Sequence, residues 1–153
     1  QIMIIRCTIP PSTLRRIIVA VPPKAEYEVG FYKWLKYLCL LEVELGCKIH
    51  FYVHPNTLTY IKSYINTNYE SMPVSYSILE RWYDIISIEQ EINYDHLFII
   101  VSARKGFMSY QSSFEHLPQQ ISKYFNHSSL MLLFPEQYGD PMETPPSLFS
   151  PKI

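Results

Sequence analysis

The feature that most constrains this chain is a short apolar run, residues 97–101, which ends in a small and basic segment. Its β-branched residues and its length predict a strand buried on both faces, as in parallel sheets. Residues 102–106 follow it, and Ser109, Ser112 and Ser113 then lead towards a predicted helix. Because open α/β sheets bind ligands beyond the carboxyl ends of their strands, this junction is also the first candidate site.

The other apolar runs alternate between strand and helix periodicity. Four more strands are predicted at residues 17–21, 47–53, 72–79 and 130–134. Helices are predicted at residues 28–45, after Pro55 and after Pro118, and residues 82–92 are compatible with either a helix or an extended segment. This alternation predicts βαβ units with right-handed crossovers. We therefore expect a three-layer α/β/α domain with a mainly parallel, five-stranded sheet.

Length and charge limit the class of protein. A chain of 153 residues suits one domain with a sizeable core. Its formal net charge of −1 argues against a general binder of nucleic acid or anionic membranes, which needs a basic face. No run reaches the roughly 18 apolar residues of a membrane span. The cysteines Cys7, Cys39 and Cys47 lack metal-like spacing, and we expect reduced, apolar thiols.

The two ends of the chain differ from its middle. Residues 2–7 form a further apolar run that stops at Pro10 and Pro11, so the sequence opens within a predicted strand. We expect a piece of a longer protein. A lone strand exposes unpaired backbone groups, so this extra N-terminal strand should pair with an edge of its own sheet or with a second chain.

Three segments carry a resemblance to a known family. They are Val-Ala-Val-Pro-Pro-Lys-Ala-Glu-Tyr-Glu at 19–28, Ser-Ala-Arg-Lys-Gly at 102–106 and Phe-Pro-Glu-Gln at 134–137. With the order of predicted elements, they resemble the universal stress protein fold, which is adenine nucleotide alpha hydrolase-like. More closely, they are similar to the universal-stress-protein-like domain that follows the membrane part of Bacteroides-type cation:proton antiporters.

That resemblance implies an architecture and a role. It implies the strand order 3-2-1-4-5 with a cleft between the first and fourth strands. It also implies that residues 1–14 are a strand and linker from a preceding tandem copy, residues 15–137 the domain, and residues 138–153 a proline-rich tail. The expected role is a non-catalytic, cytoplasmic regulatory or dimerisation domain of a Na⁺/H⁺ antiporter. The expected partners are the transmembrane domain, the preceding copy and a second chain in a homodimer.

The resemblance also identifies candidate ligand-binding residues. Nucleotide-binding members carry several glycines after the fourth strand and an acidic residue after the first. Here Gly106 is the only glycine of that loop, and Pro22 and Pro23 follow the first strand, which weighs against a nucleotide cofactor. The candidates for binding an anion or a nucleotide in a stand-alone module are Ser102, Arg104, Lys105, Gly106, Ser109, Ser112 and Ser113. Ser112 and Ser113 are also candidate helix N-caps, and a solvated loop without a ligand is the third reading.

Other candidate sites have less support. His50 and His54 fall on one face of a predicted strand, but strands do not converge side chains as a metal site requires. No serine has the pattern of a nucleophile elbow, and we expect no catalytic residue. The aromatic residues between Tyr27 and Tyr37 are expected either in the core or at a protein interface.

Overall fold

The structure, a computed structural model, describes residues 1–137, and these form six strands and three α-helices. The strands are β1 (Ile2–Arg6), β2 (Arg16–Ala20), β3 (Lys48–Val53), β4 (Val74–Ile78), β5 (His96–Val101) and β6 (Ser129–Phe134). The α-helices are α1 (Phe31–Leu45), α2 (Pro55–Asn68) and α3 (Leu117–Tyr124), with 3-10 helices at Pro11–Thr13, Ala25–Tyr27, Trp82–Glu91 and Ser112–His116. No helix within residues 1–137 is both long and apolar enough to cross a lipid bilayer.

One sheet contains all six strands in the order β1-β6-β5-β2-β3-β4. The pairs β2–β3, β2–β5, β3–β4 and β5–β6 are parallel, and β1 alone runs antiparallel to its neighbour. The predicted α/β class with a mainly parallel sheet is therefore confirmed. The five strands predicted after residue 15 all form, at bounds close to those that hydrophobicity indicated.

The sheet divides the core into two layers, because successive side chains along β2 point to opposite faces of the sheet. Ile17 and Val19 pack into a cluster that includes residues of α1 and α2. Ile18 and Ala20 pack into a second cluster, formed with Trp82–Glu91, α3 and their flanking residues. Because all of β5 is buried, helical segments cover both faces at the centre of the sheet.

Several element boundaries differ from the predictions. Helix α1 begins at Phe31 rather than at Glu28, since Ala25–Tyr27 forms a separate 3-10 turn before it. It ends as predicted at Gly46, whose φ of 64° belongs to the left-handed region. The stretch Trp82–Glu91, which the sequence left open between a helix and an extended segment, is a 3-10 helix.

The N-terminal strand belongs to the same sheet. β1 lies along β6 with Ile2 opposite Phe134 and Arg6 opposite Leu130. The guanidinium of Arg6 donates to the backbone oxygen of Phe125 at 2.6 Å, which fixes the end of the strand. Of the two predicted partners, β1 pairs with the edge of its own domain. The predicted proline-rich tail, residues 138–153, lies outside the described residues.

The three cysteines differ in solvent exposure. Cys39 and Cys47 are buried, and all three thiols are free. Burial raises the pKa of the Cys39 thiol to about 12, with a smaller contribution from the Glu42 carboxylate. Cys7 is exposed and lies just beyond β1 at the sheet edge.

Candidate functional site

The candidate site lies at the carboxyl ends of β2 and β5. These strands are parallel neighbours, with Ala20 opposite Ile100, so the loops that follow them leave the sheet side by side. Ser102 comes directly after β5, where its backbone N–H donates to the oxygen of Leu133 at 2.8 Å and its side chain is buried. The sequence therefore brings the predicted loop to the edge of the sheet where α/β folds bind ligands.

A buried carboxylate joins the two loops. Ser109, from the loop after β5, donates its backbone N–H to Oε1 of Glu28 at 2.9 Å and its hydroxyl to the same oxygen at 2.7 Å. Both residues are buried, and Glu28 comes from the loop after β2. The two donors that Ser109 would offer to a phosphate therefore bind an anionic group of the protein itself.

Arg104 is satisfied in a similar way by the segment that follows β6. Its backbone N–H donates to Oε1 of Gln137 at 3.0 Å, and its Nη2 donates to the backbone oxygen of Gln137 at 2.7 Å. The guanidinium also lies over the ring of Phe107, 4.7 Å from the ring centre. Arg104 thus binds two oxygens of a neutral residue where the sequence predicted an anion.

The segment after β6 packs closely against the start of α1. The backbone N–H of Gly30 donates to the oxygen of Glu136 at 3.0 Å. A Cβ atom at Gly30 would lie 2.5 Å from the backbone nitrogen of Glu136, so only glycine allows this approach. The ammonium of Lys33 pairs with the Glu136 carboxylate at 2.9 Å. Residues 135–137 therefore connect α1 to the loop after β5.

The remaining predicted residues do not share the partners of Ser109 and Arg104. Lys105 is exposed, and its ammonium lies 3.8 Å from the Glu115 carboxylate, away from the oxygens that Arg104 binds. Gly106 has a φ of 93°, which explains why glycine occupies this turn. Ser112 and Ser113 lie inside the 3-10 helix that Gln111 precedes, and neither side chain caps it, so the N-cap prediction is wrong.

Two residues that complete this site were not predicted. Glu28 was expected at the start of the first helix, where a carboxylate suits the helix dipole, and as the last residue of the 19–28 segment. Gln137 was recognised only as part of the Phe-Pro-Glu-Gln segment. Local patterns do not reveal either contact, because Glu28 and Ser109 are separated by 81 positions and Arg104 and Gln137 by 33.

Comparison of the chain with protein-family models, curated proteins and solved structures finds no match. What the chain does is therefore inferred from its own contacts. In those contacts, the hydrogen-bond donors of Ser109 and Arg104 bind Glu28 and Gln137 of the same chain. They do so at the sheet edge where an open α/β fold would otherwise bind a ligand.

A second polar group lies under Trp82–Glu91, on the opposite side of the fold from α1. The ring of His50 lies between two hydroxyls, 2.5 Å from Ser75 Oγ and 2.8 Å from Ser77 Oγ. Burial lowers the pKa of His50, and the nearby Arg16 guanidinium lowers it further. Burial likewise lowers the pKa of His96, which lies opposite Arg16 on the adjacent strand.

These histidines do not form the metal pair that the sequence left open. His54 caps α2, where its Nδ1 accepts the Asn56 backbone N–H at 3.2 Å, whereas His50 binds the serines of β4. Within residues 1–137, no group of three or more histidine, cysteine, aspartate or glutamate side chains is placed to hold a metal ion. Both rings act through hydrogen bonds to the protein.

The aromatic residues near α1 divide between core and surface. Phe31 and Trp34 are buried, whereas Tyr32 and Tyr37 are about half exposed. Tyr32 also borders a shallow groove of about 500 Å³ between α1 and α2, whose other lining residues are Thr59, Tyr60, Ser63, Tyr64, Thr67 and Asn68. The core location is therefore confirmed for Phe31 and Trp34, and the protein interface stays a prediction.

Proposed function

We propose that this chain is a universal-stress-protein-like domain that works by associating with protein, as the non-catalytic regulatory or dimerisation domain of a cation:proton antiporter. Counted from β2, the parallel strands lie in the order β4-β3-β2-β5-β6, which corresponds to 3-2-1-4-5. The loops after β2 and β5 meet at the cleft that this order creates. Both features support the resemblance in fold.

The observation that carries the proposal is the internal occupation of that cleft. A ligand anion would have to replace the Glu28 carboxylate, which accepts two hydrogen bonds from Ser109 in a buried setting. Hydrogen bonds to charged groups contribute about 1.5–3 kcal/mol each. The Arg104 donors bound to Gln137 would have to be released as well. The cleft therefore favours its own side chains over a bound phosphate.

A domain with a filled cleft influences a transporter through contact. It changes transport only if its partner binds it more tightly in one transport state than in another. Under the proposal, ion exchange takes place in the transmembrane part, and this domain lies on the cytoplasmic side. Its partners are that transmembrane domain, a preceding tandem copy and a second chain.

The test is a thermal-shift titration of the chain with ATP, AMP and inorganic phosphate. Ligands that bind the native state raise the melting temperature by mass action. We expect no saturable shift for the wild-type chain. A saturable shift that Arg104→Ala abolishes would refute the proposal and support a stand-alone module that binds a nucleotide or another phosphate anion. Lys36→Ala, which removes an exposed cation of α1 outside the candidate residues, is the matched control.

The coding sequence upstream of Gln1 provides a second test. A run of hydrophobic helices there would support the antiporter. A complete, short reading frame that starts just before Arg15 would instead favour the stand-alone module. Neither outcome depends on ligand binding, so the two tests are independent.

A further inference from the structure

The outer edge of β1 has the properties of an interaction surface. Among residues 1–137, no strand pairs with this edge, and β1 is the last strand on its side of the sheet. Alternate residues of an edge strand direct their N–H and C=O groups outward, where they are open to another strand. Ile2, Ile4 and Ile5 are exposed by 62%, 55% and 53%, so apolar side chains project on both faces of the strand.

This edge lacks the features that usually prevent strand addition. Natural edges are protected by charges, prolines or bulges, but residues 2–5 read Ile-Met-Ile-Ile. The only charge in the strand is Arg6, whose guanidinium donates to the backbone oxygens of Phe125 and Ser128 in its own chain. The opposite edge, β4, differs, because two of its five residues are serines and Pro73 directly precedes it.

We propose that β1 pairs antiparallel with β1 of a second copy, so that the two sheets join across a two-fold axis at Ile4. In this register Ile2 faces Arg6 of the second copy and Met3 faces Ile5, so all five residues of each strand have a partner. The two Arg6 side chains lie four positions apart along the strands, about 14 Å at a rise of 3.4 Å per residue. Like charges therefore do not meet.

Symmetry favours β1 over β4 as the partner of β1. Pairing between two copies of the same strand gives a closed dimer, whereas pairing of β1 with β4 of the next copy would continue without end. The inference rests on the proposed associative function, for which it names the partner, a second copy of this chain, and the surface. The proposed dimer pairs β1 of one copy with β1 of the other and leaves the surfaces of α1 and α2 free for other partners.

The first experiment measures the mass of the full chain in solution by sedimentation equilibrium over a range of concentrations. The wild-type chain should form a dimer. Ile4→Lys should abolish it, because two lysines would face each other at the axis and an edge lysine opposes strand addition. Val43→Lys makes the same change on α1, at a residue that is 61% exposed, and should leave the dimer intact.

Cross-linking tests the register even if Ile4→Lys fails to fold. Ile4→Cys combined with Cys7→Ser should give a disulfide-linked dimer under mild oxidation, since the paired Cα atoms would be about 4.5–5.5 Å apart. The native Cys7 is exposed but should not cross-link within the dimer, because the two copies lie six positions, or about 20 Å, apart along the strands.

Three results would overturn the inference. They are a monomer at every concentration, a dimer that survives Ile4→Lys, and open-ended oligomers. The results also separate this inference from the proposed function. A ligand-induced thermal shift would refute the associative role proposed above without affecting the dimer. A monomeric chain would refute the dimer, while the transmembrane domain and the preceding tandem copy would remain proposed partners.

Discussion

The hydrogen bonds between Ser109 and Glu28 give the sharpest prediction for stability. Ser109→Ala removes the hydroxyl that donates to the Glu28 carboxylate at 2.7 Å but keeps the backbone donor at 2.9 Å. Ser109 is fully buried, so water does not replace the lost donor. A hydrogen bond to a charged group contributes about 1.5–3 kcal/mol, and we expect the free energy of unfolding to fall by that amount.

The assay is thermal and urea unfolding followed by circular dichroism at neutral pH. In a domain of this size, a loss of 1 kcal/mol lowers the melting temperature by about 2–4 °C, so Ser109→Ala should lower it by about 3–12 °C. Ser112→Ala changes an exposed serine of the same region and should alter the free energy of unfolding by less than about 0.5 kcal/mol.

Equal stabilities of the two serine variants would refute the reasoning, because they would show that the buried hydroxyl does not hold the loops together. The same variant also probes the cleft. With Glu28 still present, Ser109→Ala should not acquire a thermal shift with inorganic phosphate. A shift would mean that the carboxylate leaves when one of its donors is lost.

Two further predictions concern other parts of the fold. Gly30→Ala should lower the free energy of unfolding by about 1–3 kcal/mol, because the added Cβ would lie 2.5 Å from the backbone nitrogen of Glu136. An unchanged midpoint of urea unfolding would contradict this prediction. The pKa values of His50 and His96 are lowered by burial, so below about pH 6.5 the unfolded chain binds more protons than the folded one. Stability should therefore decrease as the pH falls from about 7.5 to about 5.5. His50→Gln combined with His96→Gln should reduce that slope in urea titrations, and an unchanged slope would exclude these histidines as its source.

The sequence predicted the strands well because their signal is local. Residues 97–101 of β5 are an uninterrupted apolar run rich in β-branched residues, and their burial follows directly from that composition. The stretch Trp82–Glu91 was ambiguous for a physical reason. Its apolar residues Trp82, Ile85 and Ile88 recur every third position, as in a 3-10 helix, whereas the stretch from Ile85 to Ile88 is also compatible with an extended segment.

The site was predicted in position but not in its contacts. Parallel strands bring their carboxyl ends together, so the location of Ser109 and Arg104 followed from the order of elements. Their partners did not, because Glu28 and Gln137 approach through tertiary packing that no local pattern encodes. The family resemblance, the charges of Arg104 and Lys105 and the serine hydroxyls indicated an anion site, whereas the acceptors that fill it come from distant parts of the chain.

The pairing of β1 with β6 also has a consequence during synthesis. Ile2 lies opposite Phe134, so β1 leaves the ribosome about 130 residues before its partner strand. At about 5–20 residues per second, β1 waits for roughly 7–26 s for the strand that pairs with its inner edge. The rest of the sheet can form in that interval. During that interval the apolar strand Ile2–Arg6 has both edges open to premature pairing, and completion of β6 gives it a partner on one edge while its isoleucines stay exposed.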